Sequence, residues 1–233
     1  MSQGTIRRFL GVKVAEANPP PPEVHPDFPD ETPHNLKVGS RITLKEGIAF
    51  KVFKGDLSFT HPGEEQIVEA VSTFNLLGLE TIRIYLSNAH SSNKKSFIQF
   101  HRGEDGQYLD MMLFVPKEIY PKNHTEWEQW LNDKLGYFGQ QEFVDPVSGN
   151  NFFRTWEDED PEKVEPYDIM EMLFNDMVSP PSSVSHMIML YGRNAAEATD
   201  EYVMIDFDQS SLTLCYGIYL EQKDLLSWEG GVN

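Results

Sequence analysis

Apolar side chains recur at every second position along three stretches of this 233-residue chain, and no other feature restricts its fold as much. Ile82, Ile84 and Leu86 alternate with Arg83 and Tyr85. Leu109, Met111, Leu113 and Val115 repeat the pattern, and so do Leu214, Tyr216, Ile218 and Leu220. Neighbouring side chains of a strand point to opposite faces, so a period of two predicts half-buried strands in an antiparallel sheet. Residues 42–44, 48–53, 97–100, 188–191 and 202–205 read as further strands. Turns are expected at Lys45-Glu46-Gly47 and at the Gly-rich Arg102-Gly103-Glu104-Asp105-Gly106. Residues 67–77 fit a strand or a helix. Residues 142–144 and 152–156 predict a hairpin about the turn Asp145-Pro146-Val147-Ser148-Gly149-Asn150.

Two segments carry helical spacing. Thr125, with Glu128 three residues on, marks the start of a helix over 126–135, in which Trp127, Trp130, Leu131 and Leu135 share a face and Gly136 stops the chain. A second helix is expected to open at Pro166, a favoured first helical position, and to carry Met170, Leu173, Phe174 and Met177 on one side before Pro180-Pro181. The strands at 82–86, 97–100 and 109–115 match those at 188–191, 202–205 and 214–220, with Leu109 and Leu214 separated by an offset of 105. This layout reads either as a duplicated three-stranded meander, with a cleft between the copies, or as the likeness that strand periodicity imposes on any two meanders. The expected fold class is α+β, a mainly antiparallel sheet of two three-stranded meanders with two main helices.

Residues 1–34 stand apart. Ile6, Phe9, Leu10, Val12 and Val14 are interleaved with Arg7, Arg8 and Lys13, and Pro19 to Pro22 are consecutive. A proline run can neither continue a helix nor join a central strand, so 1–34 is expected as a flexible basic segment and linker before one domain at 35–233. Residues 5–14 are a candidate for peripheral membrane contact. No apolar run approaches the roughly 18 residues of a spanning helix. The single cysteine, Cys215, rules out an intramolecular disulfide framework and favours a cytoplasmic location. Its place in an apolar strand points to a buried, inert thiol.

Charge is unevenly placed. Residues 1–100 hold 11 Lys+Arg against 11 Asp+Glu, whereas residues 101–233 hold 8 against 26, the whole of the net −18. Such a balance repels nucleic acid and suits a partner protein with a basic surface. The later carboxylates are expected as a coat dispersed over the exterior. Their densest run, Glu157, Asp158, Glu159 and Asp160, is a candidate partner-binding patch; being contiguous and free of glycine, it lacks the layout of a calcium loop. Asp206 and Asp208 share a strand face and are the candidate metal ligands, or else serve a turn through Gln209, Ser210 and Ser211. None of the seven histidines lies two to four residues from another, so no zinc spacing is present and no cofactor is expected.

Trp127-x-x-Trp130, Phe152-x-Arg154-x-Trp156, Met189-Leu190-Tyr191-x-Arg193, Glu201-Tyr202-Val203 and Gly217-Ile218-Tyr219, taken together, resemble the YjfK-like bacterial proteins of unknown function over about residues 36–228. The resemblance implies an accessory role in envelope stress of the phage-shock type, with a partner protein rather than a substrate, and carries over no catalytic residue. The expected function is therefore that of a non-enzymatic interaction factor. The alternative is a divalent-metal-binding protein or metal-dependent enzyme built on the acidic residues.

Overall fold

The computed structural model describes residues 23–228 apart from 30, 31, 33, 34, 46, 49–56, 104, 120, 122, 133, 157–161, 197, 198, 209 and 210. In chain order the strands are β1 (Arg41–Leu44), β2 (Glu65–Leu76), β3 (Leu79–Asn88), β4 (Ser91–Arg102), β5 (Tyr108–Ile119), β6 (Glu142–Val144), β7 (Asn151–Arg154), β8 (Tyr167–Phe174), β9 (Ser182–Ala196), β10 (Thr199–Asp208), β11 (Ser211–Tyr219) and β12 (Leu225–Trp228). Among the described residues one helix of some length, α1 (His124–Leu131), lies between β5 and β6. All pairings are antiparallel.

Eight strands close into a barrel, in the order β2-β3-β4-β5-β11-β10-β9-β8, with β8 returning to pair with β2. This overturns the α+β class. The two expected meanders are β3-β4-β5 and β9-β10-β11, but β5 pairs with β11 along Leu212–Tyr219, so they form one continuous wall with no cleft between them. The strand that closes the ring on the other side is β8, the segment whose spacing predicted a second helix. Tyr167, Ile169, Glu171 and Leu173 face inward, while Asp168, Met170 and Met172 face outward. An inward carboxylate at Glu171 broke the apolar alternation and left only the 170/173/174/177 pattern visible in the sequence.

Partner exchange along β2 and β9 produces the closure. β2 pairs with β1 through residues 65–67 and with β8 through residues 71–73, and Glu69 is the extra residue of a bulge between the two. A bulge bends and twists a strand locally, which suits a strand leaving one neighbour for another. β9 likewise pairs with β8 up to Ile188 and with β7 at Tyr191 and Gly192. The ribbons β12-β1 and β7-β6 therefore extend from the barrel as two flaps. The β2–β3 hairpin turns on Leu77 and Gly78, with φ of 54° and 82°, the pair of positive values that two-residue hairpins of this hand require.

Helix α1 begins two residues earlier than its sequence signature suggested. The Asn123 side chain accepts the Glu126 N–H at 3.1 Å, and the chain leaves the helix at Asn132 rather than Gly136. Trp130 is buried against Tyr137 and Phe143, and Trp127 meets the ring of Phe207 edge-on at 5.9 Å, so both tryptophans belong to packing.

Apolar side chains fill both sides of the wall. Outside, Ile82, Ile84, Ile98, Phe100, Leu113, Val203, Ile205, Leu214 and Ile218 are buried with residues of β1, α1, β6, β7 and the segments around Phe28, Leu36 and Phe59. Inside, Phe74, Leu76, Phe97, Met112, Phe114, Ile169, Ile188, Leu190, Met204 and Cys215 form a second cluster. An eight-stranded barrel is just wide enough for its own side chains to fill it. Gly217 shows how tight that filling is. A Cβ there would lie 2.5 Å from two carbons of the Phe114 ring, which itself stacks on Phe97 at 5.1 Å. Gly217→Ala is expected to lower unfolding free energy by about 1–3 kcal/mol through overpacking. Urea denaturation measures it, and Phe114→Leu in the same chain should recover part of the loss.

Candidate polar site inside the barrel

Arg83 is the unusual residue of the lumen. It stands on β3 and is 1% exposed. The alternation that made 83 and 85 look like a solvent face in fact points them into the barrel. β3 and β10 lie on opposite sides of the ring, yet the Arg83 guanidinium reaches the Asp206 carboxylate at 3.6 Å and the Met204 sulfur at 3.4 Å. It also lies 3.5 Å from the Glu171 carboxylate on β8 and donates through Nε to Gln99 on β4 at 2.9 Å. The rings of Phe74 and Phe97 flank it at 4.8 and 5.0 Å, close enough for cation–π attraction.

His186 on β9 joins the two carboxylates. Its Nδ1 is 2.8 Å from Asp206 Oδ1 and its Nε2 is 3.1 Å from Glu171 Oε2. Both ring nitrogens thus face acceptors, and only the imidazolium can donate to both. Although burial pushes its pKa down, the hydrogen bonds it donates to Asp206 and Glu171 outweigh that and hold His186 at about 9. Burial pushes Glu171 up, but Arg83, then His186, Ser72 and Tyr85, bring it to about 2. The Tyr85 hydroxyl donates to Glu171 at 2.6 Å and the Ser72 hydroxyl donates to the same oxygen. The four ionic groups therefore sum to zero charge inside the barrel, where Arg83 and Glu171 are almost fully buried. Isolated charges would be expelled from such a place, and matched, hydrogen-bonded ones are tolerated.

A second half-buried histidine behaves in the opposite way. His101 meets the Thr81 hydroxyl at 2.8 Å, but its nearest carboxylate oxygen, on Asp110, is 3.9 Å away. Burial prevails there and lowers its pKa. Distance to the counter-charge separates the two fates.

The candidate metal ligands take different roles. Asp206 belongs to the lumen quartet, whereas Asp208 accepts the Ser211 N–H at 2.8 Å and its hydroxyl at 3.0 Å, closing the β10–β11 turn. Arg83 and His186 occupy the space where a cation would have to sit beside Asp206, and among the described residues no three His, Cys, Asp or Glu are placed to hold a metal ion. The partner-binding candidates Glu157, Asp158, Glu159 and Asp160 lie outside the described residues, as do residues 5–14. Cys215 is buried, and burial pushes its thiol pKa up.

Sequence reasoning missed Glu171 and His186 because the polar lumen residues sit on strands far apart in the chain. The dispersed coat also needs correction, since Asp145, Glu171, Glu201, Asp206 and Asp224 of the later half are buried. Glu201 accepts the Phe59 N–H at 2.6 Å and pairs with Arg193 at 2.7 Å, tying the segment before β2 to the barrel exterior. Asp145 accepts the Tyr216 hydroxyl at 2.7 Å and holds its own turn.

The shifted groups fix a pH window. A His raised from 6.5 to about 9 stabilises the fold fully below 6.5, and that contribution is lost as pH climbs through 9. A Glu lowered from 4.5 to about 2 stabilises fully above 4.5, and that contribution is lost as pH falls through 2. The quartet's contribution is therefore whole between pH 4.5 and 6.5. Melting temperature followed against pH should decline between pH 6.5 and 9 in the native chain, and this limb should be absent from His186→Gln.

The family model described as a protein of unknown function, DUF2491, matches residues 8–225. The uncharacterized protein YjfK of Escherichia coli (strain K12) is 28% identical over 186 residues, covering 76% of this chain and 78% of that protein. No solved structure matches the chain. Among the described residues no helix is long and apolar enough to cross a membrane. The whole barrel falls within the matched span, as do the flap strands apart from the last three residues of β12, and the chain belongs to the DUF2491 family of proteins of unknown function.

Proposed function

We propose that this protein is an acidic, non-catalytic interaction factor, with the barrel as a rigid scaffold and its exterior as the working surface. One observation carries the reading. Glu171 and His186, the acid and the base that face each other in the lumen, are locked by each other, by Arg83 and by Asp206, with pKa values of about 2 and about 9. A general acid or base works best with a pKa near the operating pH, and these two are displaced from neutrality in opposite directions. They serve the barrel.

The surplus negative charge faces outward on separate elements. Glu128 lies on α1, Glu142 on β6 and Asp168 on β8, all exposed. Such a surface steers a partner with a basic face and resists nucleic acid. Cytoplasmic location and an accessory role in envelope stress enter this proposal only through such a partner.

Affinity capture from the native host, with the full chain and with a chain lacking residues 1–22, tests the reading. A basic protein is expected on both chains at low salt and should be released as ionic strength rises, because screening shortens the reach of exposed charges. Capture of no protein at low salt, or retention indifferent to salt, would contradict it.

A further inference from the structure

Most of the barrel's outer wall is covered by the chain's own segments, but among the described residues none covers the outer face of β8. Asp168 and Met170 are exposed on its outer face, Met170 at 59%, and Met172 follows at half-burial. Across the ladder Asp168 pairs with Met187, Met170 with Ser185, and Met172 with Ser183, so three methionines and two exposed serines share one patch. The patch continues past Met187 into a groove of about 370 Å³ lined by Leu131, Phe138, Val164, Pro166 and Met187. Glu165, exposed and three residues before Asp168, also lines it. The groove's one lysine, Lys163, directs its ammonium at the carbonyls of Asn132 and Gly136, at 2.5 and 3.1 Å, and so is turned to the protein.

An apolar trough floored by methionines and bordered by carboxylates has a definite complement. Methionine is unbranched and polarisable, so it adapts to apolar side chains of different shape and is over-used at peptide-binding surfaces. Acids on the rim select the charge of what enters and speed its approach. Building on the interaction role argued above, we propose that the outer face of β8, with the adjoining groove, docks a basic segment of a partner protein. Its apolar anchor seats between Met170 and Met187, and its Lys or Arg residues meet Asp168 and Glu165. An amphipathic segment offering apolar residues at regular intervals and cations beside them satisfies both requirements.

Fluorescence anisotropy with a labelled leucine–lysine amphipathic peptide tests the location on the full chain. The native protein should bind it, and a leucine–glutamate peptide of the same pattern should not bind. Asp168→Lys with Met170→Ser should weaken binding about tenfold or more, the loss expected of removing a central anchor and its charge. Glu165→Lys should weaken it by a smaller factor. Glu64→Lys, an equal charge change at the start of β2, should leave it within about twofold. Both altered β8 positions are exposed, and an unchanged melting temperature verifies the fold. Undiminished binding to the Asp168→Lys/Met170→Ser chain would overturn the proposal, and so would an equal loss in Glu64→Lys. If host capture succeeds and is insensitive to these β8 changes, the location is wrong while the interaction role stands. If host capture yields nothing, both are wrong.

Discussion

A guanidinium buried inside the barrel is the constraint to which the rest of this structure answers. Arg83 sits fully inside a lumen of phenylalanine, leucine, isoleucine and methionine, where an unpaired charge would cost several kcal/mol. Its compensation comes from strands distant in sequence: Glu171 on the closing strand, Asp206 across the barrel, Gln99 next door. Two carboxylates around one arginine would leave an excess negative charge, and His186 corrects it by holding a proton between them. The quartet thus ties β3, β8, β9 and β10 to one register. A slip of a single residue along β8 would send Glu171 to the outer face and leave Arg83 short of a counter-charge.

That dependence also explains why β8 closes the ring. The strand pairs with β2 over three residues only and with β9 over seven, so its ladder with β2 is short. The hydrogen bonds from Ser72 and Tyr85 to Glu171 add side-chain links across the same seam, one from β2 itself and one from its neighbour β3. Outside the wall, Glu201 with Arg193 and Asp145 with Tyr216 do comparable work for the covering segments. The buried acids Asp145, Glu171, Glu201 and Asp206 all hold the fold together.

The parts of the fold legible in the sequence were those whose pattern is apolar. Residues 82–86 and 109–115 lie within β3 and β5, residues 214–220 fall in β11 but for Leu220 just past its end, and the hairpin of β6 and β7 emerged from its turn residues. What stayed hidden followed from polarity pointing inward. Arg83 looked like solvent-facing alternation, and Glu171 disguised a strand as a helix. The site was half visible: Asp206 drew attention by its spacing from Asp208, but its partners Arg83, Glu171 and His186 are neighbours only once the ring is closed. Spacing along a chain detects ligands on one helix or hairpin, and a lumen assembled from four strands has no such spacing. The family resemblance, carried by residues such as Trp130, Tyr191 and Glu201, marked packing and tethering positions, which is why it indicated the family without exposing the quartet.

Coupling between Arg83 and Glu171 tests the central claim most directly. In a double-mutant cycle by urea denaturation, Arg83→Met and Glu171→Met should each cost about 3–5 kcal/mol, since each strands a buried charge. The doubly substituted chain, still able to pair His186 with Asp206, should lose far less than the sum of the two. Additive losses, or single substitutions costing less than about 1 kcal/mol, would show that the barrel does not rest on this ion cluster.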